Sequence, residues 1–304
     1  MPLSPCGSYG MADRGKSPFP LAGSHTRGEA TAAGDGRESG INLASASPVG
    51  EEQRSPDRID TGPRYSETDA IRLNHMFRGR DTVEMLEILL KENMLGDAAI
   101  VSSFGAESAV LLHLIASIDP SVPVLFLDTG KHFPETITYK EELRTGLGLT
   151  DLRTLTPDAD LLAQKDGNGL RWSYDPDGCC EIRKVLPLKH ALAGFDAQFT
   201  GRKAFQSATR TALPRFEIED GRLKVNPLAD WSKERLDAYV AEHGLPAHPL
   251  VEQGYPSIGC SPCTTKVAPG EDPRSGRWKG WDKTECGIHT PVADPDDPAN
   301  QPMF

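Results

Sequence analysis

The chain has 304 residues, which is enough for one large α/β domain or two small ones, and a formal net charge of −11. Such an acidic protein repels phosphate, so we expect no general binding to nucleic acid or to anionic membranes, and an anionic substrate requires locally clustered Arg and Lys. No apolar run reaches the roughly 20 residues of a membrane span and no secretory signal is visible, so we expect a cytoplasmic protein with its 6 cysteines reduced.

The N-terminal part of the chain differs in composition from the rest. Residues 1–65 are rich in Gly, Pro, Ser and Ala and show no hydrophobic periodicity, which predicts a disordered extension. We expect order from Ser66, because the stretch from Ser66 to Asp69 is typical of a helix start. Apolar residues at helical spacing predict the next helix over residues 82–95.

The following segments alternate between strand-like and helix-like patterns. Strand-like runs at residues 98–103 and 122–127 are each followed by a polar loop and a helical pattern, the second helix opening at Pro134. This βαβ order predicts a parallel sheet flanked by helices, with ligands bound at the carboxyl ends of the strands. Further strands are expected at residues 151–155, 197–200 and 222–225, and further helices at residues 181–192 and 232–243.

Two boundaries follow from these patterns. We expect residues 66–270 to form the folded domain. From Glu271 the chain is again rich in Pro, Gly and charge, which predicts a mobile C-terminal tail over residues 271–304.

The loop at residues 102–108 has the composition of a phosphate-binding turn. Gly105 lets the backbone approach a phosphate, the hydroxyls of Ser102 and Ser103 add donors, and the following helix presents free N–H groups. The spacing is not that of a Walker loop. A tight strand-to-helix turn capped by Ser explains the same residues equally well.

Four cysteines form the strongest compositional feature. Cys179 and Cys180 are adjacent, and Cys260 and Cys263 form a Cys-x-x-Cys turn. Zinc ribbons usually use two Cys-x-x-Cys knuckles, so an adjacent pair favours an iron–sulfur cluster modestly over a zinc site. A redox-active Cys-x-x-Cys pair is the third interpretation.

Cys286 stands apart from these four in a polar, Gly-containing segment. His289 follows three residues later and is able to lower its pKa or to shuttle a proton. By itself this segment favours an unimportant surface thiol.

Basic residues recur beside each cysteine segment. They are candidates for anion binding because Arg presents a fork of donors to phosphate or sulfate. Any one of them alone is better explained as solvated surface charge. The set comprises Arg183, Lys184, Arg202, Lys203, Arg210, Arg274, Arg277 and Lys279.

Taken together, the motifs resemble the assimilatory adenylyl-sulfate reductases, the iron–sulfur branch of the adenylyl-sulfate and phosphoadenylyl-sulfate reductases. The resemblance covers about residues 81–289. It rests on SSFGAE at 102–107, LDTG at 127–130, FPET at 133–136, CCEIRK at 179–184 with Pro187 and Leu188, GRK at 201–203, IGCSPCT at 258–264, GRW at 276–278 and ECGIH at 285–289. The adjacent cysteines with the Cys-x-x-Cys turn separate this branch from the reductases that lack a cluster.

The resemblance implies a fold, a cofactor and a set of residue roles. The fold is Rossmann-like, of the adenine nucleotide alpha hydrolase type, and a [4Fe–4S] cluster is bound by Cys179, Cys180, Cys260 and Cys263. Cys286 is the nucleophile, Lys184 lies between cluster and sulfate, and His289 guides the sulfate and the tail. Substrate binding falls to Ser102, Ser103, Gly105, Glu107, Asp128, Thr129, Gly130, Arg202, Lys203, Arg274 and Arg277.

The implied reaction is the reduction of adenosine 5′-phosphosulfate to sulfite and AMP in sulfate assimilation, with thioredoxin as the reductant and an S-sulfocysteine on Cys286 as the intermediate. Three alternatives stay open: the same chemistry on 3′-phosphoadenylyl sulfate, an ATP-using pyrophosphatase that thiolates tRNA, and a zinc-stapled nucleotide sensor. The oligomeric state is open too, and a homo-oligomer is compatible with the sequence.

Overall fold

A computed structural model of the chain describes residues 64–206, 213–283 and 285–288. Most of the expected N-terminal extension, residues 1–63, lies outside the described residues, as does His289. Within the described part, no helix is both long and apolar enough to cross a membrane.

The centre of the fold is a six-stranded sheet in the order β3-β2-β1-β4-β6-β5. All strand pairs are parallel except β5 with β6, which is antiparallel. The expectation of a parallel sheet flanked by helices is therefore confirmed for a mostly parallel sheet. The strands are β1 (Ala98–Ser102), β2 (Val124–Leu127), β3 (Leu152–Leu155), β4 (Ala197–Thr200), β5 (Phe216–Glu219) and β6 (Arg222–Val225).

Strand β5 was not expected from the sequence. It forms a hairpin with β6 through Asp220 and Gly221, which both have positive φ, 50° and 73°, as the favoured two-residue hairpin turn requires. Glutamates are depleted in strands because they rarely fit a half-buried surface. Here each glutamate forms an ion pair, Glu217 with Arg202 after β4 and Glu219 with Lys224 of β6, and these pairs stabilise both carboxylates in the strand.

Eight α-helices flank this sheet within the described residues. Helix α1 begins with the expected capping box of Ser66 and Asp69. The helices are α1 (Glu67–Met76), α2 (Thr82–Lys91), α3 (Ser108–Ala116), α4 (Pro134–Gly146), α5 (Ala159–Asp166), α6 (Pro176–Cys180), α7 (Leu186–Leu192) and α8 (Lys233–Glu242).

The segment expected as one helix over residues 181–192 is a compound element. It begins earlier, at α6, where the Asp175 side chain accepts the Gly178 N–H at 2.8 Å, and passes through a π-helical turn, Glu181–Val185, into α7. Pro187, at the start of α7, lacks a backbone N–H, so a continuous α-helical ladder cannot form there. Such π-turns often occur at functional sites.

The sheet is buried on both faces because alternate side chains of β2 enter two different cores. Val124 and Phe126 belong to the larger core, while Leu125 and Leu127 pack with Leu188 of α7 in a smaller one. Burying a side chain of this size contributes about 1.5–3 kcal/mol. This double burial explains the continuous apolar run of β2.

The segment after α8 returns to α4 through His248, whose side chain is fully buried. Its Nδ1 accepts the Leu250 N–H at 3.2 Å, so Nε2 carries the proton and donates to Thr136 Oγ1 at 3.0 Å. Burial lowers the pKa of His248 to about 4. A neutral imidazole therefore ties this segment to α4.

Candidate active site

A cavity of about 480 Å³ opens at the carboxyl ends of β1, β2 and β4. We call it the main cavity, and its size is typical of small-ligand sites. It brings together expected residues from five separate segments of the chain. Those expected from the sequence are Ser102, Ser103, Gly105, Glu107, Lys184, Arg202, Lys203, Arg274, Arg277 and Cys286.

The loop after β1 has the backbone of an anion-binding turn. Phe104 is fully buried at φ +48°, an uncommon conformation for a residue other than Gly, and its N–H donates to Ser102 Oγ at 3.2 Å. Glu107 occupies the N-cap position of α3 without a capping hydrogen bond from its side chain. The first turn of α3 therefore meets the main cavity without a side-chain cap.

Asp128, Thr129 and Gly130 form the loop after β2 and do not line the main cavity. The Asp128 carboxylate accepts the Gly130 N–H at 2.9 Å, which closes a turn at Gly130, φ +67°. Thr129 is fully buried, and its Oγ1 lies 3.3 Å from Cys260 Sγ. This loop therefore contacts the thiols rather than the main cavity.

Three of the expected cations are paired with carboxylates. Arg202 Nη1 lies 2.5 Å from Glu217, Lys203 Nζ lies 2.9 Å from Glu107, and Arg274 Nη2 lies 3.3 Å from Glu285. Lys203 is the most buried of these cations, with 3% of its side chain exposed. The cation of each pair still has N–H groups that can donate to a ligand, but the pair as a whole adds no net charge to the main cavity.

Lys184 and Arg277 differ from these three. Within the described part of the chain, neither lies within 4.0 Å of a carboxylate. Burial opposes the charge of Lys184, but the nearby thiols of Cys260 and Cys286 outweigh it and raise the pKa of Lys184. Burial lowers the pKa of Arg277, whose guanidinium stacks 4.4 Å from the ring of Trp278.

The four expected ligand cysteines surround a second, smaller cavity, which we call the thiol cavity. All four are free thiols, and only Cys263 is more than slightly exposed. Burial raises the pKa of Cys180 to about 11. Burial acts in the same direction on Cys260, but Lys184 and Thr129 outweigh it and lower the pKa of that thiol.

The donor set of the thiol cavity fits an iron–sulfur cluster better than a single metal ion. Among the residues that the structure describes, its lining includes no carboxylate or imidazole. Among the described residues, no group of three or more His, Cys, Asp or Glu converges closely enough to hold one metal ion. Four thiols spread around one cavity suit a [4Fe–4S] cluster, since four cysteines bind a cluster of this type.

Lys184 lines both cavities. It follows Arg183 in the π-helical turn, so the turn that carries it also connects to the cysteine pair of α6. A charge held between the two cavities is thus fixed by local backbone structure.

Cys286 enters the main cavity on a segment that is held at both ends. Lys283 forms an ion pair with Asp177 of α6, and Ile288 packs against the smaller core. Gly287 has φ +87°, and a Cβ there would lie 3.3 Å from Val185 Cγ2. The backbone angle favours glycine beside the thiol, and an added Cβ would also make a tight contact with Val185.

A buried carboxylate that the sequence did not identify supports this site. Asp166 has a fully buried side chain, and its Oδ2 accepts Arg183 Nη2 at 2.6 Å and Nε at 3.1 Å. Arg183 also donates to the Thr129 carbonyl at 2.7 Å. Through Arg183, Asp166 therefore links α5 to the π-helical turn that follows the cysteine pair and to the loop after β2. Asp166 and Arg183 are 17 residues apart, so no local sequence pattern marks this contact.

Comparisons with known proteins agree with this geometry. The model of the phosphoadenosine phosphosulfate reductase domain matches residues 97–266. An adenosine 5′-phosphosulfate reductase of Mesorhizobium japonicum is 51% identical over 207 residues, covering 68% of this chain and 82% of the relative. A phosphoadenosine 5′-phosphosulfate reductase of Gloeobacter violaceus is 40% identical over 228 residues, covering 73% and 95%.

A solved structure shares the fold. The phosphoadenylyl-sulfate reductase from Candida auris in its phosphate complex superposes with a TM-score of 0.58 at 27% identity, covering 68% of this chain and 100% of that chain. The whole of that protein therefore aligns with the sheet and helices described above.

Proposed function

We propose that this chain, which belongs to the phosphoadenosine phosphosulfate reductase family, reduces adenosine 5′-phosphosulfate to sulfite and AMP. We place this reaction in sulfate assimilation and in the cytoplasm. The observation that carries the proposal is that Cys286 lines the same cavity as Lys184 and Arg277. A thiol and two cations without carboxylate partners are what transfer of a sulfonyl group from an anionic nucleotide requires.

In the first step the Cys286 thiolate attacks the sulfur of the phosphosulfate. A bond forms between Cys286 Sγ and that sulfur, and the bond from sulfur to the bridging oxygen breaks with its electron pair leaving on AMP. We expect Lys184 and Arg277, which line the main cavity, to stabilise the charge that develops on the departing phosphate. The product on the protein is an S-sulfocysteine.

In the second step a thiol of thioredoxin attacks Cys286 Sγ and sulfite leaves with the bonding pair. The second thioredoxin thiol then resolves the mixed disulfide and returns Cys286 to the thiol, so the dithiol supplies both electrons. This step requires Cys286 to meet another protein. The ion pair of Lys283 with Asp177 and the packing of Ile288 are contacts that such a movement breaks.

We propose that Cys179, Cys180, Cys260 and Cys263 hold the [4Fe–4S] cluster. When bound, the cluster supplies an electrostatic and positioning contribution. The chain's own residues transmit it, because Lys184 lines both the thiol cavity and the main cavity. Iron and sulfide analysis of the anaerobically purified protein tests this assignment, and one zinc ion in a colourless protein contradicts it.

The test of the reaction is sulfite release from adenosine 5′-phosphosulfate with thioredoxin present. We expect Cys286→Ser to abolish it while AMP still binds and the iron content is unchanged. Cys6→Ser, which alters the one cysteine outside the matched motifs, is the control and should keep full activity. Sulfite release by Cys286→Ser at the unaltered rate would sink the proposal.

The second candidate is the same chemistry on 3′-phosphoadenylyl sulfate. The name of the Gloeobacter violaceus relative and that of the Candida auris structure favour it. Competition between the two nucleotides in the sulfite assay separates the candidates.

A further inference from the structure

The charge of the main cavity bears on which of these two nucleotides it accepts. Adenosine 5′-phosphosulfate carries about two negative charges at neutral pH, and a 3′-phosphate adds roughly another 1.5 to 2. Six cations line the main cavity, which alone would favour the more highly charged nucleotide. They are Lys184, Arg202, Lys203, Lys233, Arg274 and Arg277.

Carboxylates cancel four of these six charges. Arg202, Lys203 and Arg274 are paired as described, and Lys233 is paired with Asp237 on the exposed face of α8. Within the described residues this leaves Lys184 and Arg277 as the lining cations without a carboxylate within 4.0 Å. Asp272 also lines the cavity and adds a negative charge, so the cavity has little net positive charge with which to hold an additional 3′-phosphate.

One of the pairing carboxylates acts from outside the cavity. Glu217 of β5 does not line it, yet Glu217 Oε1 accepts Arg202 Nη1 at 2.5 Å and Asn226 Nδ2 at 2.9 Å. Asn226 is held in turn by the Thr200 hydroxyl at 2.5 Å. The Glu217 carboxylate is therefore fixed behind Arg202 and neutralises it without contacting a bound nucleotide.

Burial makes this neutralisation effective. The side chains of Arg202 and Glu217 are 14% and 28% exposed, so water screens the pair poorly. Arg202 Nε is also buried without a hydrogen-bond partner. The guanidinium can therefore offer a donor to an anion while its net charge stays cancelled.

We propose that Glu217, acting through Arg202, is a specificity-determining residue that makes the main cavity select a nucleotide with about two negative charges over one with an additional 3′-phosphate. The inference rests on the proposed function and extends it to the choice between the two nucleotides. Glu107 acts on Lys203 in the same way.

The experiment compares two stable nucleotides that differ by the 3′-phosphate. AMP and 3′-phosphoadenosine 5′-phosphate are titrated calorimetrically into the cluster-loaded protein, and the ratio of their Kd values is measured. Glu217→Gln keeps the hydrogen bonds to Arg202 and Asn226 but removes the charge. It should shift the ratio towards the bisphosphate by at least about tenfold, because one unit charge about 10 Å from each unit of phosphate charge, at an effective dielectric constant of about 20, already has an effect of somewhat more than that size.

Two further variants separate this effect from general ones. Glu84→Gln makes the same charge change in an exposed ion pair on α2 and should leave the ratio unaltered. The double variant Glu217→Gln with Arg202→Gln should return the ratio towards that of the unaltered protein, because the freed charge is then gone. Glu107→Gln frees Lys203 instead and should shift the ratio in the same direction, which covers the case of a Glu217 variant that does not fold.

The outcomes distinguish this inference from the proposed function. If neither Glu217→Gln nor Glu107→Gln shifts the ratio while AMP binds the unaltered protein, the inference is overturned and the proposed function stands. A shift as large in Glu84→Gln also overturns it, because overall charge then explains the result. If AMP does not bind the unaltered protein, the proposed function itself fails.

Discussion

Replacing Asp166 with Asn removes one charge from the most completely buried ion pair near the site. The Asp166 side chain is 0% exposed and that of its partner Arg183 is 9% exposed, with 2.6 Å between Oδ2 and Nη2. The Asn side chain keeps the shape but leaves the guanidinium without a compensating charge. Removing one partner of a buried pair typically costs about 3–5 kcal/mol, so we expect a loss of this size in the free energy of unfolding.

The chain offers a control that differs chiefly in burial. Asp151 and Arg153 form a pair at 2.7 Å with 34% and 47% of their side chains exposed. Exposed pairs contribute about 0–1 kcal/mol, so Asp151→Asn should change the free energy of unfolding by less than about 1 kcal/mol. The contrast between the two variants therefore isolates desolvation.

The measurement is the urea midpoint at constant pH, checked by thermal unfolding, where Asp166→Asn should lower Tm by about 10 °C. Burial opposes ionisation of Asp166, but the Arg171 N–H and the Arg183 guanidinium outweigh it and lower its pKa. Because the pKa of Asp166 is lower in the folded protein, its ion pair stabilises the fold at any pH above about 3.9, the pKa of Asp in the unfolded chain. This stabilisation is lost as the pH falls through the pKa that Asp166 has in the folded protein. Equal midpoints for Asp166→Asn and Asp151→Asn at pH 7 would refute the reasoning.

Two further predictions concern His248 and the Arg277 guanidinium. Because burial lowers the pKa of His248 to about 4, the fold should lose up to about 3 kcal/mol as the pH falls from about 6.5 to about 4, and His248→Gln should flatten the urea midpoint over that window. An equally steep pH dependence in the variant would contradict this. Gly259→Ala should weaken AMP binding about tenfold, equivalent to about 1.4 kcal/mol, with little change in the urea midpoint, because the added methyl overlaps the movable end of Arg277. Gly194→Ala, whose methyl meets no atom within 4 Å at a position that does not line the main cavity, should bind AMP normally in the same calorimetric titration, and equal weakening in both would contradict the steric argument.

The parts of the fold that were predictable are those whose signal is local. The limits of β1 and β2 were expected to within two residues because these strands are short apolar runs. Those of β4 and β6 were expected to the residue, and in both strands apolar and polar residues alternate. Strand β5 was missed because its glutamates are stabilised by Arg202 and Lys224, which lie on neighbouring segments of the fold. Its strand character depends on partners that its own sequence does not contain.

The candidate site divides in the same way. Ser103 was expected at the carboxyl edge of the parallel sheet from the strand order, and Lys203 was expected to bind the substrate from the family resemblance; both line the main cavity. Asp128, Thr129 and Gly130 were also expected there but do not line it. The pairing of the main cavity's cations with carboxylates was not expected, because residues such as Glu107 and Lys203 are 96 positions apart and nothing local marks them as a pair. The sequence thus identified the donors of the site but not its net charge.

Cys286 shows why that distinction matters for the chemistry. Its neighbours in the sequence are those of a surface thiol, and its position in the main cavity depends on three contacts made by other residues: Lys283 to Asp177, Glu285 to Arg274, and Ile288 to the smaller core. The Glu285–Arg274 pair joins the segment that carries Cys286 to a cation of the main cavity, and together with the other two contacts it would hold the thiol there for the first step of the proposed reaction. The movement that the second step requires would break all three contacts.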